Sequence, residues 1–243
     1  MPNRWLFVSD VDDTLLGDDI ALNELMAALT AASERVITAY NSSRPCASLR
    51  QSLAANPQLK PPHYLIGGLG TEIEEGNSDR PLTGYTEYLG QNWQRDRIVK
   101  LIDQLGLTPH ADEYQTPLKA SYDVPGSEMA INVQQQLAAA GLPAKIIFSG
   151  GKNLDLIPEP AGKGGVIDYL RRQLNIPPEQ VVVAGDSGND IEMFKPPHGG
   201  PYRGIVVGNA DSDLQQLKGK HIYHAQSACA AGVLEGLRFW QVL

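Results

Sequence analysis

Residues 7–19 read FVSDVDDTLLGDD, an apolar run that stops at Asp10 and continues as a crowd of acids. The segment holds five aspartates. Carboxylates placed close together repel one another, and burying an ionised one is costly, so the run requires a compensating partner. In an extended chain, residues i and i+2 point to the same side, which predicts that Asp10 and Asp12 face a common point. By itself, the pattern is also typical of an acidic turn that caps a helix.

Apolar runs alternate with helical patterns over most of the chain, which predicts an α/β fold with a parallel sheet covered on both faces. The candidate strands lie in RWLFVSD, RVITAY, HYLIGG, QVVVAGDSGND, GIVVGNA and HIYHA. Ligands of such sheets bind beyond the carboxyl ends of the strands. Asp10, Ser42 and Asp186 each follow a candidate strand. We therefore expect these three residues at one edge of the sheet.

The middle of the chain, residues 81–157, has a different pattern. Two helical stretches and three strand-like runs are segregated there: NWQRDRIVKLIDQL, KASYDV, SEMAINVQQQLAAA, AKIIFSG and NLDLI. This arrangement predicts a smaller α+β domain inserted into a core domain formed by residues 1–80 and 158–243. The segments EEGNSDRP and PEPAGKG are the expected crossings between the two domains.

Composition excludes several classes of protein. The formal charge of -8 argues against a nucleic-acid-binding surface, but it allows an anionic substrate, because a bound metal ion can reverse the local field. No apolar run approaches the roughly 18 residues of a membrane span, and the start of the chain does not read as a signal peptide. The two cysteines are too few for a disulfide framework. We expect a cytoplasmic protein that binds neither nucleic acid nor membranes.

A second acidic cluster, GDSGND at residues 185–190, again follows an apolar strand. Alone, it is also typical of a turn with a helix cap or of a weak calcium loop. At one sheet edge with Asp10, however, Asp186 and Asp190 predict a cation site of oxygen ligands. Because the protein ligands are few and leave room for water and a phosphate, Mg²⁺ is the expected metal.

Two further segments suit a phosphate group. NSSR at residues 41–44 places Ser42 and Ser43 at a strand end, just before a helix N-terminus, where hydroxyls and free N–H groups bind anions. The alternative there is a simple serine N-cap. GKGG at residues 162–165 places Lys163 at the start of another helix, either facing a phosphate or as a solvated surface charge.

The order of these motifs, DVDDT, a strand-end serine, GKG and GDSGND, resembles the haloacid dehalogenase superfamily of phosphatases. The inserted domain is similar to the type II cap of that superfamily, and the core would be Rossmann-like. Four segments are similar to sucrose-phosphatases: GTEI (70–73), NWQRD (92–96), FSGGKNLDLIPEPAGKG (148–164) and CAAGVLEGL (229–237). The similarity extends from Phe7 to about Phe239. One difference is the pair Ser42–Ser43, where relatives often have Thr-Gly.

The resemblance implies a Mg²⁺-dependent phosphatase that converts sucrose 6-phosphate to sucrose and phosphate in the last step of sucrose synthesis. It implies that Asp10 attacks phosphorus and that Asp12 is the general acid and base. Ser42 and Lys163 would hold the phosphoryl oxygens, assisted by Ser43. Mg²⁺ would be held by Asp10, Asp186 and the backbone carbonyl of Asp12. Asn189 and Asp190 would support the site, Asp190 through water or by positioning Lys163.

The inserted domain is expected to choose the substrate, because a disaccharide requires several hydrogen-bond partners. The candidate sugar contacts are Glu72 in the core and Lys119, Tyr122, Lys152, Asn153 and Asp155 in the inserted domain. The alternative for the lysines is solvated surface, and for Asp155 a strand-end acid. Other open readings are a trehalose-phosphate or mannosyl-phosphoglycerate phosphatase, or a phosphosugar-binding protein without turnover. We expect a monomer, with sucrose-phosphate synthase as a candidate partner.

Overall fold

The computed structural model of the chain describes residues 4–195 and 200–243. Its strands are β1 Trp5–Ser9, β2 Val36–Asn41, β3 Tyr64–Gly67, β4 Glu72–Glu75, β5 Thr108–Pro109, β6 Ala120–Asp123, β7 Lys145–Ser149, β8 Asn153–Ile157, β9 Val181–Gly185, β10 Arg203–Val206 and β11 Ile222–His224. Its α-helices are α1 Asp19–Ala31, α2 Cys46–Ala55, α3 Tyr85–Gly90, α4 Arg95–Gln104, α5 Ser127–Ala139, α6 Lys163–Gln173, α7 Ile191–Phe194, α8 Ser212–Gln215 and α9 Cys229–Phe239. Short 3-10 helices cover Asp112–Tyr114, Pro178–Gln180 and Gly188–Asp190.

The larger sheet has the strand order β11-β10-β9-β1-β2-β3-β4. Every neighbouring pair is parallel except β3 and β4. The predicted α/β fold with a parallel sheet is confirmed, and its six candidate strands correspond to β1–β3 and β9–β11. Strand β4 was not predicted, because its residues, EIEE, form a short polar edge strand without an apolar run.

The core of this sheet follows from its sequence. Phe7 and Val8 of β1 are fully buried, as expected for a parallel strand covered on both faces. On one side α1 and α9 pack together, with Leu25 and Leu237 in one apolar cluster. Asp18 caps α1, since its Oδ1 accepts from Ile20 N and Ala21 N. One of the five crowded acids therefore has a helix-capping role.

The chain divides into two compact units. The first comprises Met1–Pro81 with Lys163–Leu243, and the second comprises Leu82–Gly162. The second junction, between Gly162 and Lys163, falls within the predicted crossing PEPAGKG and later than the predicted boundary at residue 157. The role of this unit as a cap remains a prediction.

The second unit has a four-stranded antiparallel sheet in the order β5-β6-β8-β7. Apolar residues of α4 and α5 cover one face, including Ile98 and Val133, which cluster with Tyr122 and Leu154. The predicted helices and the three predicted strands are present as α4, α5, β6, β7 and β8. The short elements α3 and β5 were not predicted.

Across the described ranges, none of the helices is both long and apolar enough to cross a membrane.

Candidate active site

Three parallel strands bring side chains to the carboxyl edge of the larger sheet. Asp10 follows β1, and its backbone N–H donates to Ala184 O of β9 at 3.0 Å. Ser42 follows β2, and its backbone N–H donates to Ile66 O of β3 at 3.0 Å. Asp186 follows β9 directly. Because β1 lies between β2 and β9, these residues emerge from neighbouring strands at one edge.

Lys163 joins this edge from the start of α6. Its buried ammonium group donates to Asp10 Oδ1 at 2.9 Å, Asn189 Oδ1 at 2.8 Å and Asp190 Oδ1 at 2.6 Å. An ammonium group has three N–H donors, so these three acceptors satisfy it. The Asn41 side chain donates to Lys163 O at 2.9 Å and fixes the backbone as well. Hydrogen bonds therefore fix both the ammonium group and the backbone carbonyl of Lys163.

Asp190 is fully buried and uses both carboxylate oxygens. Its Oδ1 pairs with Lys163, and its Oδ2 accepts from the backbone N–H groups of Asp186 at 3.1 Å and Ser187 at 3.2 Å. The approach is close because Gly185 has no side chain: a Cβ there would lie 2.6–2.7 Å from atoms of the Asp190 side chain. Asp190 thus orients both Lys163 and the loop that carries Asp186.

The site holds more negative charge than its lysine balances. Burial raises the pKa of Asp10 to about 7, opposed by Lys163 and reinforced by Asp190 and Asp186. Burial also raises the pKa of Asp186, against the hydrogen bond that Thr14 Oγ1 donates to its Oδ1 at 2.6 Å. Burial alone would lower the pKa of Lys163, but Asp190 and Asp10 outweigh it and raise that pKa. Lys163 therefore stays protonated, and its single positive charge does not compensate all of the neighbouring carboxylates.

These residues fit a divalent cation. Carboxylate oxygens of Asp10, Asp186 and Asp190 lie within 4.8 Å of one another. An all-oxygen donor set suits a hard cation such as Mg²⁺. Since both oxygens of Asp190 already have partners, Asp10 and Asp186 are the carboxylates that fit as ligands. A cation there would stabilise the ionised carboxylates, against the burial that raises their pKa values.

Asp12 does not follow the geometry expected of an extended chain. β1 ends at Ser9, the chain turns at Asp12, and Asp13 has a φ of 57° in the left-handed region. That Asp10 and Asp12 face a common point stays a prediction, because the extended strand ends before both residues. The Asp12 carboxylate is half-exposed and pairs with Arg44, whose Nη2 lies 2.9 and 3.0 Å from its two oxygens.

The two serines after β2 differ in exposure. Ser42 is almost fully buried, and its Oγ accepts from the backbone N–H of Arg44 at 3.2 Å. Ser43 is partly exposed and is not among the described residues with a positive φ. The position therefore does not require the conformational freedom of the glycine that relatives often carry. Both serines remain predicted phosphate ligands.

In the second unit, four of the predicted sugar contacts lie on or beside β6 and β8. Ser121 Oγ donates to Asp155 Oδ1 at 2.5 Å, and Lys119 Nζ lies 3.5 Å from the same oxygen. Lys119 is buried, and Asp155 is partly buried. Asn153 begins β8 and shares a face with Asp155, two residues along the strand. Lys152 precedes the strand and is exposed.

The remaining two candidates have structural contacts of their own. Tyr122 alternates with Ser121 along β6 and lies on the opposite face, 2% exposed in the apolar core of the second unit. It is not brought together with the other four. Glu72 Oε2 accepts from the backbone N–H of Cys46, the first residue of α2, at 2.8 Å. Because the side chain of the N-cap residue Pro45 has no hydrogen-bond acceptor, Glu72 caps this helix instead. Their contacts with substrate remain predictions.

Comparison with known proteins identifies the family. Residues 3–241 match the family model described as sucrose-6F-phosphate phosphohydrolase. The chain belongs to this family. It is therefore a phosphoric monoester hydrolase, and the predicted resemblance to sucrose-phosphatases is confirmed.

Relatives within and around the family differ in their stated substrates. The chain is 32% identical to a mannosylfructose-phosphate phosphatase of Agrobacterium fabrum, over 97% of this chain and 96% of that protein. It is 30% identical to sucrose-phosphatase 1 of Nicotiana tabacum, over 96% of this chain but only 58% of that protein. The chain therefore spans little more than half of this tobacco relative.

Solved structures agree with this assignment. The sucrose-phosphatase of Synechocystis sp. PCC6803, solved in complex with sucrose and phosphate, is 32% identical and has a TM-score of 0.86, with 98% of each chain covered. A haloacid dehalogenase-like hydrolase of Bacillus subtilis has a TM-score of 0.74 at 18% identity, covering 98% of this chain and 92% of that one. This second likeness shows the fold alone.

Three contacts of the site were not predicted from the sequence. Thr14 binds Asp186, Asn41 binds the backbone of Lys163, and Arg44 pairs with Asp12. All three lie inside the quoted motifs DVDDT and NSSR. Their polar character and their place inside these motifs were the available signal, but the sequence does not reveal the partner of each residue.

Proposed function

We propose that the chain hydrolyses the phosphate monoester of a disaccharide, with sucrose 6-phosphate as the first candidate, in the last step of sucrose synthesis. The observation that carries the proposal is Lys163, buried between Asp10 and Asp190 at the sheet edge that also carries Asp186. This arrangement gives a carboxylate, a fixed cation and a place for a metal ion at one point. The family and the 98% coverage of the Synechocystis enzyme support a sugar phosphate as the substrate.

We include Mg²⁺ as the cofactor. Asp10, Asp186 and the backbone carbonyl of Asp12 are the proposed ligands. When bound, the ion offsets the repulsion between an anionic phosphate and a carboxylate nucleophile.

In the proposed reaction, Asp10 attacks phosphorus and the bond from phosphorus to the sugar oxygen breaks. Asp12 donates a proton to the departing oxygen, because a sugar alkoxide is a poor leaving group. Asp12 then takes a proton from a water molecule, which attacks the phosphorus of the aspartyl-phosphate. Phosphate leaves and Asp10 is regenerated, so each group returns to its starting state.

Lys163 and Ser42 would hold the phosphoryl oxygens as charge spreads over them. All three N–H donors of Lys163 are used by Asp10, Asn189 and Asp190. A contact with phosphate therefore requires one donor to be shared or exchanged. The donor on Asp10 is the natural one, because Asp10 becomes bonded to phosphorus.

A second candidate substrate is mannosylfructose phosphate. The near-complete match to the Agrobacterium phosphatase, which covers 96% of that protein, favours it. We propose that the polar residues of the second unit, Lys119, Lys152, Asn153 and Asp155, distinguish the sugars.

A cytoplasmic location is part of the proposal, because Cys46 and Cys229 are both free thiols, which suit a reducing compartment. The proposal also includes a monomeric state and cooperation with a sucrose-phosphate synthase. Sedimentation of the chain alone and mixed with the synthase tests both.

Phosphate release from a panel of substrates tests the function. The panel contains sucrose 6-phosphate, mannosylfructose phosphate, and the phosphates of trehalose, glucose and fructose, each with Mg²⁺ and with a chelator. We expect the highest kcat/KM on sucrose 6-phosphate and loss of activity with the chelator. A higher kcat/KM on mannosylfructose phosphate would transfer the assignment to that substrate. Equal rates on the monosaccharide phosphates would overturn a disaccharide specificity.

A further inference from the structure

Arg44 lies in the loop between β2 and α2 and contacts three side chains. Its Nη2 lies 2.9 and 3.0 Å from the two oxygens of Asp12. Its Nη1 donates to Ser52 Oγ at 2.8 Å and to Ser48 Oγ at 3.2 Å. One end of the guanidinium is therefore anchored to α2, while the other holds Asp12.

The anchor is built into the helix. Ser48 and Ser52 are four residues apart in α2 and so lie on one face, one turn apart. Both hydroxyls accept from the same guanidinium nitrogen. In the part of the chain that the structure describes, Arg44 is the one side chain recorded in contact with the Asp12 carboxylate.

This ion pair is poorly suited to stabilising the fold. The Arg44 side chain is 31% exposed and the Asp12 side chain is 53% exposed. Pairs this open to solvent typically contribute about 0–1 kcal/mol to stability. An exposed carboxylate without a partner would, however, rotate freely, and proton transfer requires a donor held at hydrogen-bond distance from its acceptor.

We propose that Arg44 is a positioning residue that holds the Asp12 carboxylate in place for proton transfer, with Ser48 and Ser52 as its anchor. This inference rests on the proposed function, in which Asp12 is the general acid and base. The competing role is direct binding of the substrate phosphate. Arg44 Nε has no hydrogen-bond partner in the described structure, so it is a candidate donor for that role.

A double-mutant cycle separates the two roles. We expect Arg44→Ala to lower kcat on the sugar phosphate by about 10- to 100-fold with KM changed by less than about twofold. This is part of the roughly 10²–10⁴-fold that a positioned acid or base contributes. In an Asp12→Ala background, Arg44→Ala should cost nothing further, because its target is absent. A raised KM for Arg44→Ala would overturn the proposal in favour of phosphate binding. An equally large loss of kcat on adding Arg44→Ala to Asp12→Ala would overturn it in the same way.

The leaving group gives a second readout. p-Nitrophenolate leaves without a proton, so the first turnover of p-nitrophenyl phosphate should be unchanged in Arg44→Ala, while first turnover of the sugar phosphate slows. Equal slowing of both would also contradict the proposal. An unchanged kcat on the sugar phosphate would remove Arg44 from the mechanism.

Two further variants guard against a folding defect. Arg50→Ala is the matched control, since Arg50 lies in α2, the helix that anchors Arg44, and pairs with Glu74 at 2.6 Å; the kcat of this variant should be unchanged. Ser48→Ala with Ser52→Ala keeps both charges but removes the anchor, and should lower kcat by a few-fold at an unchanged melting temperature. If Arg44→Ala does not fold, this anchor variant decides, because a wild-type kcat there overturns the anchoring role.

The assignment of sucrose 6-phosphate as the substrate and the role of Arg44 can fail independently. The Arg44 series is run on the sugar phosphate that the wild-type enzyme hydrolyses best. A wild-type preference for another sugar would overturn the assignment to sucrose 6-phosphate without affecting the comparison among variants.

Discussion

At the residue scale, Lys163 and Asp10 form the centre of the site. The ammonium group is buried, yet three acceptors within 2.9 Å satisfy it, and two of them are carboxylates. Removing one partner of such a buried pair leaves an uncompensated charge, which is strongly destabilising. A nearly isosteric change at Asp10 is therefore the informative one.

Asp10→Asn should abolish turnover while the protein stays folded. The amide keeps an oxygen that can accept from Lys163, but it is a very poor nucleophile and a weaker metal ligand. We expect a loss of more than about 100-fold in kcat, equivalent to about 2.7 kcal/mol. Phosphate release and a melting curve measure the two effects. A purified variant that keeps more than a hundredth of the rate would exclude Asp10 as the covalent nucleophile.

Thr14→Val should weaken metal binding more than it weakens the fold. Thr14 Oγ1 donates to Asp186 Oδ1 at 2.6 Å, and partners of metal ligands typically contribute 10- to 100-fold in affinity. We expect the Mg²⁺ concentration for half-maximal activity to rise by about tenfold. Thr30→Val is the control, because Thr30 Oγ1 only donates to Met26 O within α1. Identical Mg²⁺ dependence of both variants and wild type would show that Thr14 does not act on the metal ligand.

At the element scale, the antiparallel sheet of the second unit has two different faces. The face toward α4 and α5 is apolar, whereas Ser121 and Asp155 lie on the other face with Asn153. Lys119 pairs with Asp155 there, and both side chains are at most 13% exposed. Polar residues grouped on one face of a sheet are the natural place to recognise sugar hydroxyls.

Asp155→Ala and Lys152→Ala should have different effects on stability. Asp155→Ala leaves the buried Lys119 without its partner and should lower the free energy of unfolding by about 3 kcal/mol. Lys152 is exposed, so Lys152→Ala should leave stability unchanged. If both contact sugar, each variant should lose about 2- to 150-fold in kcat/KM on the disaccharide phosphate and little on p-nitrophenyl phosphate. Equal losses on both substrates would remove them as sugar contacts.

At the scale of the whole molecule, metal binding should couple to stability. Asp10 has a pKa of about 7 in the folded protein, above its usual value of 3.8. Without metal, its contribution to stability is complete at low pH and is lost as the pH rises through about 7, because the folded protein disfavours the ionised form. The proposed Mg²⁺ would bind that ionised form.

Mg²⁺ should therefore raise the melting temperature more at pH 8 than at pH 6. At a hundredfold excess over Kd the expected stabilisation is about 2.7 kcal/mol, or about 5–10 °C for a chain of this size. Differential scanning fluorimetry with Mg²⁺ or chelator at the two pH values measures it, and Asp10→Asn should reduce the difference between them. A larger shift at pH 6 would contradict the charge balance described for the site.

The sequence predicts the parts of the fold that depend on pattern. Apolar runs located the parallel strands, and the parallel topology implied that Asp10, Ser42 and Asp186 share an edge. The polar strand β4 lacks such a run, so it was missed. Side-chain partners could not be predicted, because they depend on turns and rotamers. Asp12 pairs with Arg44, a residue 32 positions away in the chain, and the burial of Tyr122 depends on which face of β6 the helices cover.

The position of β1 between β2 and β9 has a consequence for synthesis on the ribosome. β1 can pair with β2 as soon as residue 41 has emerged, but its other neighbour begins at Val181. The bond between Thr14 and Asp186 joins residues 172 apart. At about 5–20 residues per second, the nascent chain keeps one edge of its central strand unpaired for about 7–30 s. During that interval the unpaired edge of β1 is a template on which another chain can pair and aggregate.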